Sequence, residues 1–305
     1  MKLQQLKYVG EIARRGLSIS AAANAMHTSQ SGVSNQVQLF EDELGLQIFE
    51  RHGKRLTGLT LFGQSVIKMA DRVLLDVENI RQLAADNKND QLGTLSIGTT
   101  HTQARYALPK AIKAFSQHYP KVHLNMVQGT PTEIAEMAAT GRVDMAIATE
   151  GLAQFGALVI LPCYEWNRSI VVLPDHPLLS EKKLTLNAIA QYSILTYVMG
   201  FTGRAQQDQA FIERGLTPNV VFTATDADVI KTYVELGLGI GIIASMAFDP
   251  IKDAPLQALD VSHLFKPSTT HMGIRRGRYL RAYSYAFIEL LAPHLTRKVV
   301  EKAII

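Results

Sequence analysis

Cysteine occurs once in 305 residues, at Cys163, so the chain cannot close an internal disulfide or assemble a cysteine-rich zinc or iron–sulfur centre. No apolar run reaches the roughly 18–20 residues that a membrane-spanning helix requires. The first residues, Met1-Lys2-Leu3-Gln4-Gln5-Leu6, are polar where a secretory signal would be apolar, so the expected location is a reducing cytoplasm away from membranes. Neither charge sign dominates. Lys and Arg number 31 against 27 Asp and Glu, and the resulting +4 is too small to indicate nucleic acid by itself. Nine histidines include no pair at metal-ligand spacing with a third ligand nearby, so no metal is expected. Repeats and low-complexity segments are missing too. What remains is an ordinary globular composition, 47% hydrophobic and 19% charged, long enough for two or three domains.

The first 60 residues read as short helices and a hairpin. Leu3, Leu6, Val9, Ile12 and Ala13 recur at helical spacing up to Gly16, a second helix covers 21–26, and a third covers 30–44 with Val33, Val37 and Phe40 on one face. A hairpin should turn at Gly53. Ala21–Ala23 and Ala25 are small enough for two helices to cross closely, as a helix-turn-helix needs. Thr28 and Ser29 are placed to cap the third helix and lend its amides to a DNA phosphate. Its outward face then carries Gln30, Ser31, Ser34, Asn35 and Gln38, short amides and hydroxyls suited to base edges in the major groove. Arg51, Lys54 and Arg55 on the hairpin would reach the DNA backbone. The bland alternative, a solvated helical hairpin, is not excluded by charge, since this segment holds seven basic and five acidic residues.

From 60 to about 87 one helical pattern runs without proline. Val66, Ala70, Val73, Val77, Ile80 and Ala84 form a heptad seam, widened by Ile67, Leu74 and Leu75. A lone helix cannot bury such a stripe, so a partner helix, and hence a dimer, is expected. Beyond Leu92, strands at 94–98, 122–127 and 143–148 alternate with helices near 108–118 and 132–139. Strands at 170–173, 194–195, 220–223, 240–243 and 271–275 follow, with helices near 203–214, 227–236 and 279–291. The pattern predicts an α/β fold, two lobes of similar size behind an N-terminal winged helix-turn-helix.

Thr99, Thr100, Thr102 and Gln103 follow a strand and open a helical segment; Thr202 and Gly203 open another. Thr149 follows a strand at its carboxyl edge, where such sheets bind ligands. Hydroxyls and free amides at helix starts suit a small anion, and they serve equally as plain caps and turn residues. Several other signals are local structure. Gly237-x-Gly239-x-Gly241 follows a helix and opens a strand, the reverse of a dinucleotide loop. Thr225-x-x-Asp228 reads as a capping box, and Ser65-x-x-Lys68 lies inside the long helix without its companion motifs. An enzyme built on the lobes would need a nucleophile, an acid and base pair or a phosphate loop, and none stands out.

The run from Ala22-Ala23 through Ser29-Gln30, Ser34, Glu41, Leu44-Gly45, Ile48-Phe49 and Arg51 to Leu56-Thr57 and Gly63 resembles the signature of LysR-type transcriptional regulators. Leu108-Pro109, Phe115, Tyr119-Pro120, Gly129, Asp144 and Gly237-x-Gly239-Ile240 extend that resemblance along the chain. Two strings, 99–106 (TTHTQARY) and 223–233 (TATDADVIKTY), are similar to the CysB/Cbl branch, with the balance toward the CysB-like side. Ser31, Phe40 and Asn35 depart from the common family pattern, so operator preference does not carry over.

The resemblance implies a winged helix-turn-helix at 1–60, a dimerisation helix at 61–91 and an effector domain at 92–305. That domain would have two lobes like periplasmic binding proteins, lobe I at about 92–162 and 268–305 and lobe II at about 163–267. It implies ligand contact at Thr100, Thr102, Gln103, Thr149, Thr202 and Trp166. It further implies double-stranded DNA, a second copy in a dimer or tetramer, and RNA polymerase as partners, with no bound cofactor. The regulated genes would serve sulfur assimilation and cysteine biosynthesis, switched by an acetylserine or sulfate-like anion. The alternative is a sulfate-starvation regulator that senses adenosine phosphosulfate.

Overall fold

The structure, a computed structural model, describes residues 1–53 and 55–304; Lys54 lies outside the described residues. The chain divides into two units, Met1–Ala85 and Asp86–Ile305.

In the first unit, α1 (Leu3–Arg14), α2 (Ile19–Ala25) and α3 (Gln30–Leu44) precede a two-stranded antiparallel wing, β1 (Phe49–His52) and β2 (Arg55–Leu59). α2 begins two residues earlier than the pattern suggested because the Ser18 hydroxyl caps it, accepting from the Ala21 amide at 3.2 Å. Val9, Ile12, Ala22, Val33, Val37 and Phe40 close one core, and the small side chains of α2 let α3 cross it closely. Glu41 is 1% exposed in its side chain and ties α3 to the wing. Its carboxylate accepts from the amides of Ile48 (2.8 Å) and Phe49 (3.1 Å) and from Arg51 (2.8 Å).

The helix α4 (Leu61–Lys88) starts against that wing. A Cβ on Gly63 would stand 1.9 Å from the Ile48 carbonyl oxygen, so only glycine permits the approach. The expected heptad seam splits. Val66, Ile67, Ala70 and Leu74 pack into the helix-turn-helix core, while Met69, Val73, Ile80 and Leu83 stay exposed, Ile80 at 67%. The seam reading merged these two faces because residues four apart in a helix border both.

The second unit holds two five-stranded sheets. The first contains β3 (Gly93–Thr99), β4 (Val122–Gln128), β5 (Met145–Ala148), β6 (Leu158–Trp166) and β12 (Ser268–Arg275), in the order β4-β3-β5-β12-β6. α5 (Leu108–His118), α6 (Pro131–Ala139), α10 (Ala282–Leu291) and α11 (Arg297–Ile304) accompany it. The second contains β7 (Arg168–Val172), β8 (Ile194–Tyr197), β9 (Val220–Ala224), β10 (Ile240–Ala244) and β11 (Gln257–Asp260), in the order β11-β7-β10-β8-β9, with α7 (Leu186–Ile189), α8 (Arg204–Ile212) and α9 (Ala227–Glu235). In each sheet three strands pair in parallel and two more join through antiparallel pairings, so that one strand, β12 or β7, runs against the other four.

The chain passes from lobe I to lobe II at Asn167, four residues beyond the expected boundary at 162–163, because β6 stays hydrogen-bonded to β12 as far as Trp166. It returns before Ser268, where β12 begins. No described helix is long and apolar enough to cross a membrane.

Candidate DNA-reading face and effector cleft

Ser29 caps α3, its hydroxyl accepting from the Gly32 amide at 3.1 Å. Thr28 takes no part in that cap; its amide instead closes the end of α2 on the Ala23 carbonyl at 3.0 Å. With Val33, Val37 and Phe40 turned inward, Gln30, Ser31, Asn35 and Gln38 are exposed and Ser34 is half-buried. Thr28 and Ser29 are exposed as well, so the helix presents one polar face with its amide end open. Ser31 leans on Ser29, hydroxyl to hydroxyl at 3.4 Å. On the wing, Arg55 is exposed, whereas Arg51 is committed to the buried Glu41. Arg51 therefore anchors the wing to α3 through Nη2, with its side chain still 32% exposed beside the expected phosphate-contacting face. Glu41 is buried without another cation within 4 Å among the described residues, and a buried carboxylate needs one.

In the second unit, the carboxyl ends of β3 and β5 and the start of α8 converge. Thr100, Thr102, Gln103 and Thr202 are buried and Thr149 is half-buried. The hydroxyls of Thr102 and Thr149 are covered from solvent and hydrogen-bond to no protein group, so both can donate to a bound molecule. A π-helical stretch at Gln103–Ala107 turns the backbone here, a distortion often found at functional sites. Thr202 sits at φ +46° and Gly203 at φ +69°, so the turn into α8 is left-handed and strained at a threonine.

Arg168 clamps that turn. It is 2% exposed, and its Nη2 donates to the Gly203 carbonyl at 2.6 Å and to the Ser268 hydroxyl at 3.0 Å. A Cβ on Gly203 would meet that nitrogen at 2.2 Å. Burial pulls the Arg168 pKa down to about 10, partly opposed by Glu150 and Tyr197.

Two assigned ligand residues already have protein partners. Gln103 receives the Tyr164 hydroxyl on Oε1 and donates to Thr270 at 3.3 Å. The Trp166 indole donates to the same Thr270 hydroxyl at 3.1 Å, beneath the Arg168 guanidinium. The Trp166 ring, at the end of β6, packs with Val171, Leu195 and Tyr197 of lobe II.

Sequence reasoning missed Arg168, Glu150 and the lobe-to-lobe contacts. A single arginine at the head of an otherwise apolar strand, Arg168-Ser169-Ile170-Val171-Val172, was the available signal. The contacts join the two strings noted above. Tyr106 donates to Asp228 at 2.6 Å, Arg105 reaches the same carboxylate at 2.7 Å, and Lys231 meets the Tyr106 hydroxyl at 3.2 Å and Asp253 at 2.8 Å. Burial raises the Tyr106 pKa, and its bond to Asp228 adds to the rise. Asp226, not Thr225, caps α9 through the Val229 amide at 3.0 Å. His101, Asp226 and Asp228 bring possible metal ligand atoms within 4.8 Å of one another, a grouping that spacing along the chain could not reveal. Asp228 there is already neutralised by Arg105 and Lys231.

A winged helix-turn-helix and a two-lobed α/β domain in one chain define the architecture of a DNA-binding regulator. Two family models agree with that division: "Bacterial regulatory helix-turn-helix protein, lysR family" matches residues 3–64, and "LysR substrate binding domain" matches 88–296. The chain is 52% identical to the HTH-type transcriptional regulator SsuR of Burkholderia cenocepacia, over 97% of this chain and 96% of that protein. It is 50% identical to CysB of Haemophilus influenzae (99% and 94%) and 44% to cbl of Escherichia coli (100% and 96%). The cofactor-binding domain of the Cbl transcriptional regulator superposes with a TM-score of 0.69 at 44% identity, over 71% of this chain and 95% of that one. Full-length OxyR from Pseudomonas aeruginosa shares the fold at a TM-score of 0.68 and 22% identity, over 95% and 97%. The chain belongs to the LysR family of transcriptional regulators. Within it, the chain is of the SsuR, CysB and Cbl type, a DNA-binding regulator and not an enzyme.

Proposed function

We propose that this regulator activates genes of sulfur assimilation and cysteine biosynthesis when a small anionic effector binds between the two lobes. The observation that carries the reading is the pair of covered, unpartnered hydroxyls of Thr102 and Thr149 beside the strained Thr202 turn. Such hydroxyls, with helix-start amides, hold an anion without a charged side chain. An acetylserine carboxylate or a sulfate-like anion fits that chemistry. The resemblance to CysB, Cbl and SsuR supports the sulfur genes.

The regulator works in the cytoplasm, on duplex DNA and with RNA polymerase. The exposed Met69, Val73, Ile80 and Leu83 on α4 form the dimer contact, and dimers pair into tetramers. A thermal-shift screen with acetylserines, sulfate, thiosulfate and adenosine phosphosulfate tests the effector class, because a specific ligand raises the melting temperature by mass action. A rise with an acetylserine or sulfate, together with altered operator binding, supports the reading. A response confined to adenosine phosphosulfate supports the sulfate-starvation alternative.

A further inference from the structure

Glu150 follows Thr149 directly, at the carboxyl end of β5 in lobe I. Its Oε2 is covered from solvent and has no hydrogen-bond partner. The carboxyl group faces the Ala205 amide in the first turn of α8 and feels the Arg168 guanidinium, both of lobe II. Arg168 does not satisfy it. That guanidinium donates to the Gly203 and Lys266 carbonyls and the Ser268 hydroxyl. Burial accordingly pushes the Glu150 pKa upward, with Arg168 and the Ala205 amide only partly opposing it.

A covered carboxylate oxygen without a donor is costly to keep. Glu150 adjoins Thr149 in the chain, whose hydroxyl also lacks a partner, and faces the start of α8, the helix that follows the Thr202 turn. These groups differ in chemistry: the threonine hydroxyls can donate to an anion, whereas the carboxylate can only accept. An inorganic oxyanion brings acceptors alone, and its charge would be set against Glu150.

We propose that Glu150 accepts a hydrogen bond from an N–H or ammonium group of the effector, so that the cleft selects a small amino-acid-type ligand bearing both a carboxylate and a nitrogen donor over a simple oxyanion. This rests on the cleft being the effector site. The carboxylate of the ligand lies on the Thr149 and Thr102 hydroxyls, and its nitrogen lies on Glu150. Because Glu150 belongs to lobe I and its surroundings to lobe II, filling that position draws the two lobes onto one ligand.

Calorimetry on the full chain tests this with O-acetyl-L-serine, N-acetyl-L-serine and sulfate as probes, against Glu150→Gln, Glu150→Ala and Thr149→Val. Thermal melting and operator binding establish that each variant is folded. The affinity ratio of the acetylserines to sulfate should fall at least tenfold in Glu150→Ala and less in Glu150→Gln, whose amide oxygen still accepts, with sulfate binding unchanged or tighter in both. Thr149→Val should weaken all three probes. An unchanged ratio in the Glu150 variants, with binding lost in Thr149→Val, overturns the role of Glu150 and leaves the site standing. Binding untouched by all three substitutions overturns the site itself, and this inference with it.

Discussion

Tyr106 of lobe I donates a 2.6 Å hydrogen bond to Asp228 of lobe II, across 122 positions of sequence. Lys231 meets the same phenol at 3.2 Å, and Arg105 reaches Asp228 at 2.7 Å, so one carboxylate gathers three donors from both lobes. The two lobes are therefore latched beside the cleft as well as joined at Asn167 and before Ser268.

Removing the phenol in Tyr106→Phe should loosen that latch. A hydrogen bond to a charged group contributes about 1.5–3 kcal/mol, reduced here because the Asp228 side chain is 32% exposed. Effector affinity should fall about tenfold while operator binding persists, since a receptor pays for whatever fraction of its population is not binding-competent. Titration calorimetry against the best screened ligand reads this directly. An unchanged affinity would mean that the latch is surface decoration.

Arg51 and Arg55 should behave differently. Arg51→Ala strips the cation from the buried Glu41, and breaking such a pair costs up to about 3–5 kcal/mol, less for a partner as exposed as Arg51. The helix-turn-helix should melt earlier and lose all DNA binding. Arg55→Ala should keep the melting temperature and weaken every duplex alike, reducing the salt dependence by about one ion. Melting curves and a salt series on operator and random duplexes separate the two. Equal melting temperatures would show that Glu41 does not depend on Arg51.

On α3, Gln30→Ala and Ser34→Ala should each lower operator affinity by about 1–3 kcal/mol relative to random DNA if either side chain reads a base edge. Intact discrimination in both variants would move base reading to another face.

Ile80→Glu should dissociate the proposed dimer, because it places an unpaired charge where an apolar contact is expected. Ala70→Glu should unfold the first unit instead, since Ala70 is enclosed by its own core. Sedimentation and melting distinguish these outcomes, and an intact dimer with Ile80→Glu would place the contact elsewhere.

The limits of α3 are legible in the sequence because Ser29 caps it and Gly45 ends it at φ +69°. The strand β6 was not legible: Pro162 interrupts its pattern, and the proline is tolerated because β6 is an edge strand and bulges against β12. The strand β11 is four residues at an edge of the second sheet, too short for a clear alternation. Of the candidate site, the threonines were visible as hydroxyls at strand ends and helix starts. Glu150, Arg168 and the Tyr106–Asp228 contact depend on lobes meeting in space, and only Arg168, a charge in an apolar strand, left a trace.

Cys163 offers a control for native structure. Burial pushes its thiol up to about 12, so it carries almost no thiolate below pH 9 and should resist alkylation until the lobe unfolds. Rapid labelling of the folded protein would contradict its place in the core.

The central claim, an effector held by hydroxyls between the lobes, meets its most direct test in Thr149→Val. That hydroxyl has no partner in the protein, so valine removes it without breaking an internal bond. The variant should melt no earlier than the parent and bind operator DNA, yet its effector affinity by calorimetry should fall about ten- to hundredfold, as expected for a hydrogen bond to a charged group. An effector that binds Thr149→Val and the parent equally well would contradict the claim.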